Sequence, residues 1–396
     1  MTGQRIAVLF FAAAATALAD EPGVSPAGLH YSNEAESLLV RAMVSLRENG
    51  LKQALDDVDA LLARNPNYRL GYLIKGDLLM ASAGQPVAFA ANAASTASVQ
   101  PLQDEARVRM KRYLDAPPAS YLPSSLLQLA PKQTHALLID TARSRLFVYA
   151  NDLGKPRYVA DFYISLGKNG IEKRVEGDQK TPLGIYTLLP MKDKLPEFYG
   201  PGAYPLTYPN EWDRMNGRSG HGIWIHGTPS ETYARPPWAT DGCVVLTNED
   251  LARVRRYVEI ERTPVVIGNT VEWRAPAQWE AEREAFLAAL DKWKADWESL
   301  DTKRYLSNYS RNFRSANRDF ASWSASKQRV NAGKSWIKVN LKDVSLFEYP
   351  GERNLMMVSF TQDYRSNNMS KTTFKRQFWT REGGQWRIVH ETVVGS

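Results

Sequence analysis

The spacing of apolar residues changes twice along the chain, and these changes constrain the fold more than any other feature of the sequence. Over residues 33–114 apolar side chains recur every three or four positions, as in amphipathic helices. Over residues 135–270 they alternate with polar ones or form short β-branched runs, which is typical of strands. Residues 275–396 begin with a long helical pattern and end in strand patterns. We therefore predict a multidomain chain with an α-helical, a mostly-β and an α+β domain.

The helical region contains an Asn-Pro turn at residues 65–68, with apolar stripes on both sides. This arrangement resembles one tetratricopeptide (TPR) unit. Because such units bury their faces against neighbouring repeats, a single unit predicts a small domain that could pack on a second copy of the chain. A homodimer through this region is therefore a hypothesis. Prolines then cluster in residues 115–134, which we interpret as the linker to the next domain.

The first residues of the chain predict export. Arg5 precedes an apolar run, residues 6–18, that is too short to span a bilayer. Ala17-Leu18-Ala19 has the small-residue pattern that signal peptidase recognises. We expect residues 1–19 to be a signal peptide cleaved after Ala19, and the mature protein to be periplasmic without a membrane span. An uncleaved anchor is the alternative.

Composition limits the classes of partner. The hydrophobic share of 43% and the aromatic share of 11% are typical of globular proteins. The formal net charge of +7 suits an anionic partner such as a cell wall or a membrane surface. The sequence has no arginine-rich cluster and no zinc-finger spacing, so we expect no nucleic-acid partner.

The chain has a single cysteine, Cys243, which serves either packing or chemistry because it has no disulfide partner. A buried strand is predicted directly after it, and an earlier apolar segment ends in His226, seventeen residues before the cysteine. A free thiol, with a pKa of about 8.5, is only a few per cent ionised at neutral pH. An adjacent imidazole could take its proton and later deliver it to a leaving amine. Backbone N–H groups around Gly242 and Cys243 are predicted to form an oxyanion hole.

Three motifs in this order resemble the YkuD-type L,D-transpeptidase family of cell-wall enzymes over about residues 135–270. They are Lys180-Thr181-Pro182-Leu183-Gly184-Ile185-Tyr186, Ile225-His226-Gly227 and Thr240-Asp241-Gly242-Cys243. The resemblance implies that Cys243 is the nucleophile, that His226 is its base, and that the Gly227 carbonyl orients the imidazole. It also implies the substrate, which is the bond between the third residue of a peptidoglycan stem peptide, usually meso-diaminopimelate, and the terminal D-alanine. We expect no cofactor and no metal.

The chain departs from the commonest family pattern at two positions. Asp241 stands where many members have histidine, and Val245 where many have arginine or asparagine. Asp241 could pair with His221, hold the ammonium of the diaminopimelate side chain, or simply cap the loop. Thr240 and Trp238 are further substrate-binding candidates, and Trp238 either stacks on the substrate or packs at the rim of the site.

The C-terminal pattern of one long helix followed by antiparallel strands resembles the SnoaL-like, nuclear-transport-factor-like cone. Such cones often enclose a pocket, here with an unknown ligand, although aromatic residues at these spacings also form plain cores. With Gly-Asp-x-Lys-Thr-Pro and Thr-Asp-Gly-Cys, this tail resembles the family branch that includes wall-trimming enzymes. In that branch water can replace the second stem peptide as acceptor. The predicted function is therefore L,D-transpeptidase or L,D-carboxypeptidase activity in cell-wall remodelling and cell shape.

Other classes of function remain open at this point. His221, His226, Asp241 and Cys243 offer ligand types that suit zinc, but strand alternation would point the two histidines to opposite faces. A papain-like protease would place its cysteine before its histidine, the reverse of the order found here. The third alternative is a wall-binding scaffold with a vestigial centre, although such a protein would be expected to lose Cys243 or His226 first.

Overall fold

The computed structural model describes residues 33–47, 50–84, 93–114, 116–315 and 318–394. The predicted signal peptide lies outside these ranges. The α-helices of the described residues are α1 Glu34–Arg47, α2 Leu51–Arg64, α3 Arg69–Ser82, α4 Ala93–Leu114, α5 Glu211–Met215, α6 Asn248–Val254, α7 Pro276–Glu298, α8 Thr302–Ser307 and α9 Phe320–Ala332. No helix of the described residues is long and apolar enough to cross a membrane.

The helical domain packs α1, α2 and α3 around one apolar core, as the periodicity predicts. α2 turns Val58 and Leu61 inward, and both are completely buried. Each such side chain contributes about 1.5–3 kcal/mol through its removal from water. The helix ends at Asn65, whose N–H donates to the Leu61 carbonyl at 2.9 Å, because Pro66 has no N–H with which to continue the ladder.

The strands of the central domain and its flanking segments form four sheets in the described part of the chain. They are β1 Leu122–Pro123, β2 His135–Asp140, β3 Arg145–Asp152, β4 Lys155–Tyr163, β5 Leu166–Gly167, β6 Gly184–Thr187, β7 Ala203–Pro205, β8 Trp224–His226, β9 Trp238–Thr240, β10 Val244–Val245, β11 Pro264–Gly268 and β12 Trp273–Arg274. A five-stranded sheet has the order β4-β3-β2-β11-β6, a three-stranded sheet the order β10-β8-β7, β5 pairs with β9, and β1 pairs with β12. One apolar core joins the five-stranded and three-stranded sheets.

The C-terminal domain is a curved six-stranded sheet with helices α7 to α9 against it. Its strands are β13 Tyr309–Ser315, β14 Arg318–Asp319, β15 Ile337–Glu348, β16 Leu355–Ser366, β17 Met369–Glu382 and β18 Gln385–Val393, in the order β14-β13-β18-β17-β16-β15. The predicted hairpin over residues 382–384 joins β17 to β18. Aromatic side chains of α7, including Trp279 and Trp293, are fully buried in its core.

The proline-rich segment 115–134 is packed along much of its length. β1 pairs with β12, and Leu126, Leu127 and Leu129 are almost completely buried. Leu127 belongs to the core of the C-terminal domain, whereas Leu126 and Leu129 belong to a cluster shared by the central and C-terminal domains. The segment therefore fastens these two domains together in addition to connecting the helical domain to them.

A buried cluster of alternating charges joins the helical domain to the central domain. We call it the interdomain ion cluster, and its members are Glu36, Glu105, Arg109, Arg112, Arg145 and Asp161. Arg145 of β3 donates to Glu36 of α1 at 2.7 Å and to Asp161 of β4 at 2.8 Å. Burial alone would lower the pKa of Arg145, but these two carboxylates outweigh it and raise the pKa. The face of the helical domain that carries Glu36 is therefore buried against the central domain.

The architecture confirms the predicted fold class of helices, a mostly-β centre and an α+β tail. The predicted strands of the central domain correspond to β2, β3, β4, β6, β8, β10 and β11. The predicted homodimer remains a hypothesis.

Candidate active site

His226 lies on β8, and the single cysteine directly precedes β10, the parallel strand beside it. β10 pairs with β8 in a register that aligns Val245 with His226. Aligned residues of neighbouring strands point to the same face, and side chains alternate with a period of two. Cys243, two residues before Val245, therefore faces the same way as His226. The register thus puts the thiol and the imidazole that the sequence motifs single out on one face of the sheet.

His226 is buried and held in one tautomer. Its Nδ1 lies 2.7 Å from the carbonyl oxygen of Gly227. Because a carbonyl can only accept, Nδ1 carries the proton, and Nε2 is left with a free lone pair. Burial is the main cause that lowers the pKa of His226, to about 4, and the positive charge of Arg235 lowers it further. The imidazole is therefore neutral at physiological pH and can act as a base.

Gly227 is required because its neighbours leave no room for a side chain. A Cβ at this position would lie 2.2 Å from Oδ1 of Asn248, the residue at the start of α6. The same oxygen accepts from the N–H of Thr228 at 2.9 Å. The strand that carries His226 is thereby fixed to α6 directly after the histidine, and the Gly227 carbonyl is held toward the imidazole.

The Cys243 thiol is partly buried and protonated at rest. Burial raises the pKa of Cys243 to about 11, and the negative charge of Asp241 raises it further, whereas the Trp224 N–H opposes the shift by hydrogen bonding to the sulfur. The thiol donates to the carbonyl of Gly222 at 3.4 Å. Since His226 is also neutral, the resting site holds a thiol and an imidazole, not a thiolate–imidazolium pair.

Two threonines hold the loop that presents Cys243. Thr240 accepts from the Gly242 N–H at 3.1 Å and donates to the Cys243 carbonyl at 2.7 Å. Thr181, from the Lys-Thr-Pro motif, donates to the Gly242 carbonyl at 3.1 Å and accepts from the Gly167 N–H at 2.9 Å. Gly242 has a φ of +116°, and a Cβ there would lie 2.7 Å from the Lys180 carbonyl oxygen. The loop is therefore rigid, and glycine is required immediately before Cys243.

Comparison with known proteins agrees with this geometry. Residues 134–267 match the L,D-transpeptidase catalytic domain family, YkuD, and residues 285–392 match the Cds6 C-terminal NTF2-like domain family. The chain carries an L,D-transpeptidase catalytic domain. An NTF2-like domain follows it.

Solved structures with the same architecture include two of the helical cell shape determining protein Pgp2 from Campylobacter jejuni. The first, of a point mutant, is 26% identical over 74% of this chain and 98% of that chain, with a TM-score of 0.60. The second is 29% identical over 68% and 95%, with a TM-score of 0.59. Bd1075 from Bdellovibrio bacteriovorus shares the fold at 24% identity, 69% and 98% coverage and a TM-score of 0.60. A search of curated proteins found no match.

The L,D-transpeptidase domain does not bring Asp241 to His221. Asp241 pairs with Lys168 at 2.9 Å, and both side chains are largely exposed. His221 lies 3.4 Å from Glu176, also at the surface. The proposed Asp241–His221 pair is therefore not present, because the exposed turn at residues 220–222 directs His221 to Glu176. Among the described residues, no group of three or more histidine, cysteine or acidic side chains could hold a metal ion.

The remaining candidates have distinct surroundings. The Thr240 hydroxyl is already hydrogen-bonded within the loop that presents Cys243, and so is the Gly242 N–H. The Cys243 N–H donates to none of the described residues, which leaves it available to an oxyanion. Trp238 is 40% exposed on β9 at the rim of the domain.

Sequence reasoning missed the aromatic wall beside the histidine and the cation behind it. The short 3₁₀ turn Glu197–Tyr199 places the Tyr199 ring 5.0 Å and the Phe198 ring 6.2 Å from the His226 ring. The Arg235 guanidinium lies over Phe198, 4.3 Å from the ring centroid. No motif marks these positions, because the turn and the loop that carry them are distant in sequence from both strands. A Phe-Tyr pair before a glycine was the only local signal.

The arrangement of the L,D-transpeptidase domain supports acyl transfer. Attack by sulfur on a carbonyl carbon requires removal of the thiol proton, and the free lone pair of His226 Nε2 lies on the same face of the sheet. An oxyanion formed in that step would find the unused Cys243 N–H. The imidazole is buried, with the Tyr199 ring packed beside it, and this burial lowers the pKa of His226.

Proposed function

We propose that the chain is an exported cysteine acyltransferase that cleaves the diaminopimelate–D-alanine bond of peptidoglycan stem peptides. In the first half-reaction the Cys243 sulfur attacks the diaminopimelate carbonyl carbon while His226 Nε2 takes the thiol proton. The carbon–nitrogen bond then breaks, and His226 returns the proton to the amine of the leaving D-alanine. The acyl-enzyme is resolved by water, as an L,D-carboxypeptidase, or by the side-chain amine of a second stem, as an L,D-transpeptidase.

The observation that carries this proposal is the β8–β10 register, which puts the only cysteine of the chain on the same face as a neutral, carbonyl-oriented histidine. The YkuD family match supports a peptidoglycan substrate. A role in cell shape is supported by the similarity to Pgp2, which is described as a helical cell shape determining protein.

Mass spectrometry of purified tetrapeptide muropeptides after incubation with the protein tests the reaction. Loss of D-alanine with gain of one water indicates the carboxypeptidase, and a cross-linked dimer indicates the transpeptidase. Cys243→Ala should abolish both products and leave the fold intact, as checked by circular dichroism. Unchanged muropeptides with the parent protein would contradict the proposal and favour the scaffold alternative.

A further inference from the structure

The loop between β8 and β9, residues 227–237, carries Arg235 against the wall of the active site. The Arg235 guanidinium lies 4.3 Å from the Phe198 ring centroid, and Nη2 donates to the Phe198 carbonyl at 3.4 Å. The Phe198 ring in turn lies 6.2 Å from the ring of His226. Arg235 therefore shares a wall of the site with the base.

The backbone around Arg235 is fixed from two sides. The Tyr163 hydroxyl donates to the Arg235 carbonyl at 2.8 Å, and the Leu166 N–H donates to the Pro237 carbonyl at 2.7 Å. On the other side, the Tyr233 ring lies 4.5 Å from the ring of Tyr68 in the helical domain. The helical domain and the central sheet thus hold the loop together, so the position of Arg235 is set before any ligand arrives.

Arg235 is a half-buried cation without a carboxylate partner among the described residues. Asp241, the acidic side chain whose charge acts on Arg235, is paired with Lys168 instead. Partial burial lowers the pKa of Arg235, the opposite of the shift at Arg145, where two carboxylates compensate burial. A guanidinium stays charged in spite of such a shift, so the desolvated charge remains uncompensated. The Arg235 guanidinium can therefore bind an anion.

We propose that Arg235 binds the terminal carboxylate of the stem peptide, on the D-alanine that leaves. This assignment rests on the proposed function. In a tetrapeptide stem that carboxylate lies one residue, about 4 Å, beyond the carbonyl that Cys243 attacks. The Arg235 guanidinium lies over Phe198, whose ring borders His226, so a carboxylate held there would lie beside the base that returns a proton to the leaving amine. A planar guanidinium also matches a carboxylate in a bidentate geometry.

The same contact would select the length of the stem. A pentapeptide carries a neutral peptide bond where the tetrapeptide has its carboxylate, so Arg235 would be left desolvated and unpaired. Unpaired buried polar groups in a site reject the wrong substrate strongly. We therefore expect stems that end in a single D-alanine to be preferred.

The test compares two stems, a tetrapeptide with a free C-terminal carboxylate and its C-terminal amide. Binding is measured by calorimetry on the full chain with Cys243→Ala, which keeps the stems intact, and turnover is measured on the parent. We expect Arg235→Gln to weaken affinity and to lower kcat/KM for the free acid by about 10- to 100-fold, the range for a hydrogen bond to a charged group. The amide should bind weakly and respond little to the substitution. Arg353→Gln, at an exposed turn of the NTF2-like domain, is the matched control.

Equal effects of Arg235→Gln on both stems would overturn the assignment, since the residue would then only shape the loop. Arg235→Lys should recover part of the preference for the free acid, because it keeps the charge but loses the bidentate geometry. If the parent turns over neither stem while the Cys243→Ala protein still discriminates between them through Arg235, the proposed reaction fails and the carboxylate site stands. Failure to bind either stem would overturn both.

Discussion

The protonation state of Cys243 makes a quantitative prediction about thiol reactivity. Burial raises its pKa from an ordinary 9.0 to about 11, so the thiolate fraction at pH 7 should be about 100-fold lower than in an unfolded chain. Thiolate nucleophilicity rises with pKa, with a Brønsted slope of about 0.4–0.5, so each thiolate in the folded protein should react about 6- to 10-fold faster than one in the unfolded chain. We therefore expect the folded protein to react with a disulfide reagent about 10-fold more slowly than the denatured protein at pH 7.

The assay uses a small uncharged disulfide reagent under pseudo-first-order conditions from pH 5 to pH 10. Because Cys243 is the only cysteine, all of the signal reports on the site, and Cys243→Ala serves as the blank. The rate should rise with pH throughout the range. A plateau between pH 5 and pH 8, at a rate above that of the denatured chain, would indicate a thiolate–imidazolium pair and refute the reasoning. His226→Gln should change this rate by less than about 3-fold, yet slow acylation by about 10²- to 10⁴-fold.

Three further predictions concern stability. The pKa of His226 falls from 6.5 in the unfolded chain to about 4 in the folded one, so the unfolded chain binds the extra proton as the pH drops. The free energy of unfolding should therefore fall by about 3 kcal/mol between pH 6.5 and pH 4. Urea titrations should show a smaller loss in His226→Gln, and an unaltered pH slope in that variant would contradict the prediction. Arg145→Met leaves buried carboxylates without a cation and should lower the free energy of unfolding in urea by about 3–5 kcal/mol. The control Arg64→Met, at an exposed ion pair, should lower it by less than about 1 kcal/mol. Similar losses in both variants would argue against a stabilising role of the interdomain ion cluster. Gly242→Ala should lower the free energy of unfolding by about 1–3 kcal/mol and reduce turnover, because φ at this position is positive and the new Cβ would meet the Lys180 carbonyl. A fully active and equally stable variant would show that the loop can relax.

Local sequence was sufficient for the elements and for singling out Cys243 and His226 as candidates. The change from helical to strand periodicity comes from the different spacing of side chains in the two structures, which is a local property of the backbone. The lone Cys243 and the His226-Gly227 pair stand out because few residue types can supply a nucleophile, a base and a close-packed carbonyl. The tautomer of His226 also follows from adjacent residues, since the carbonyl that fixes it belongs to Gly227.

The partners of charged side chains could not be obtained in this way. A pair with His221 was one of three roles considered for Asp241, but the segment after β5 brings Lys168 to it instead. Proline content predicted a linker at residues 115–134, whereas the burial of Leu126 and Leu127 depends on surfaces supplied by two other domains. A pattern in one segment carries no information about which distant surface will cover it.

The sequence by itself therefore determined the order of domains, the strands next to which Cys243 and His226 are found, and the glycine that precedes Cys243. Only the tertiary structure decided the electrostatic state of the site. The neutral thiol, the neutral imidazole and the uncompensated Arg235 all result from burial by segments far apart in the chain, including the Glu197–Tyr199 turn and the helical domain. Desolvation depends on everything that surrounds a group, and so it exists only after the chain has folded.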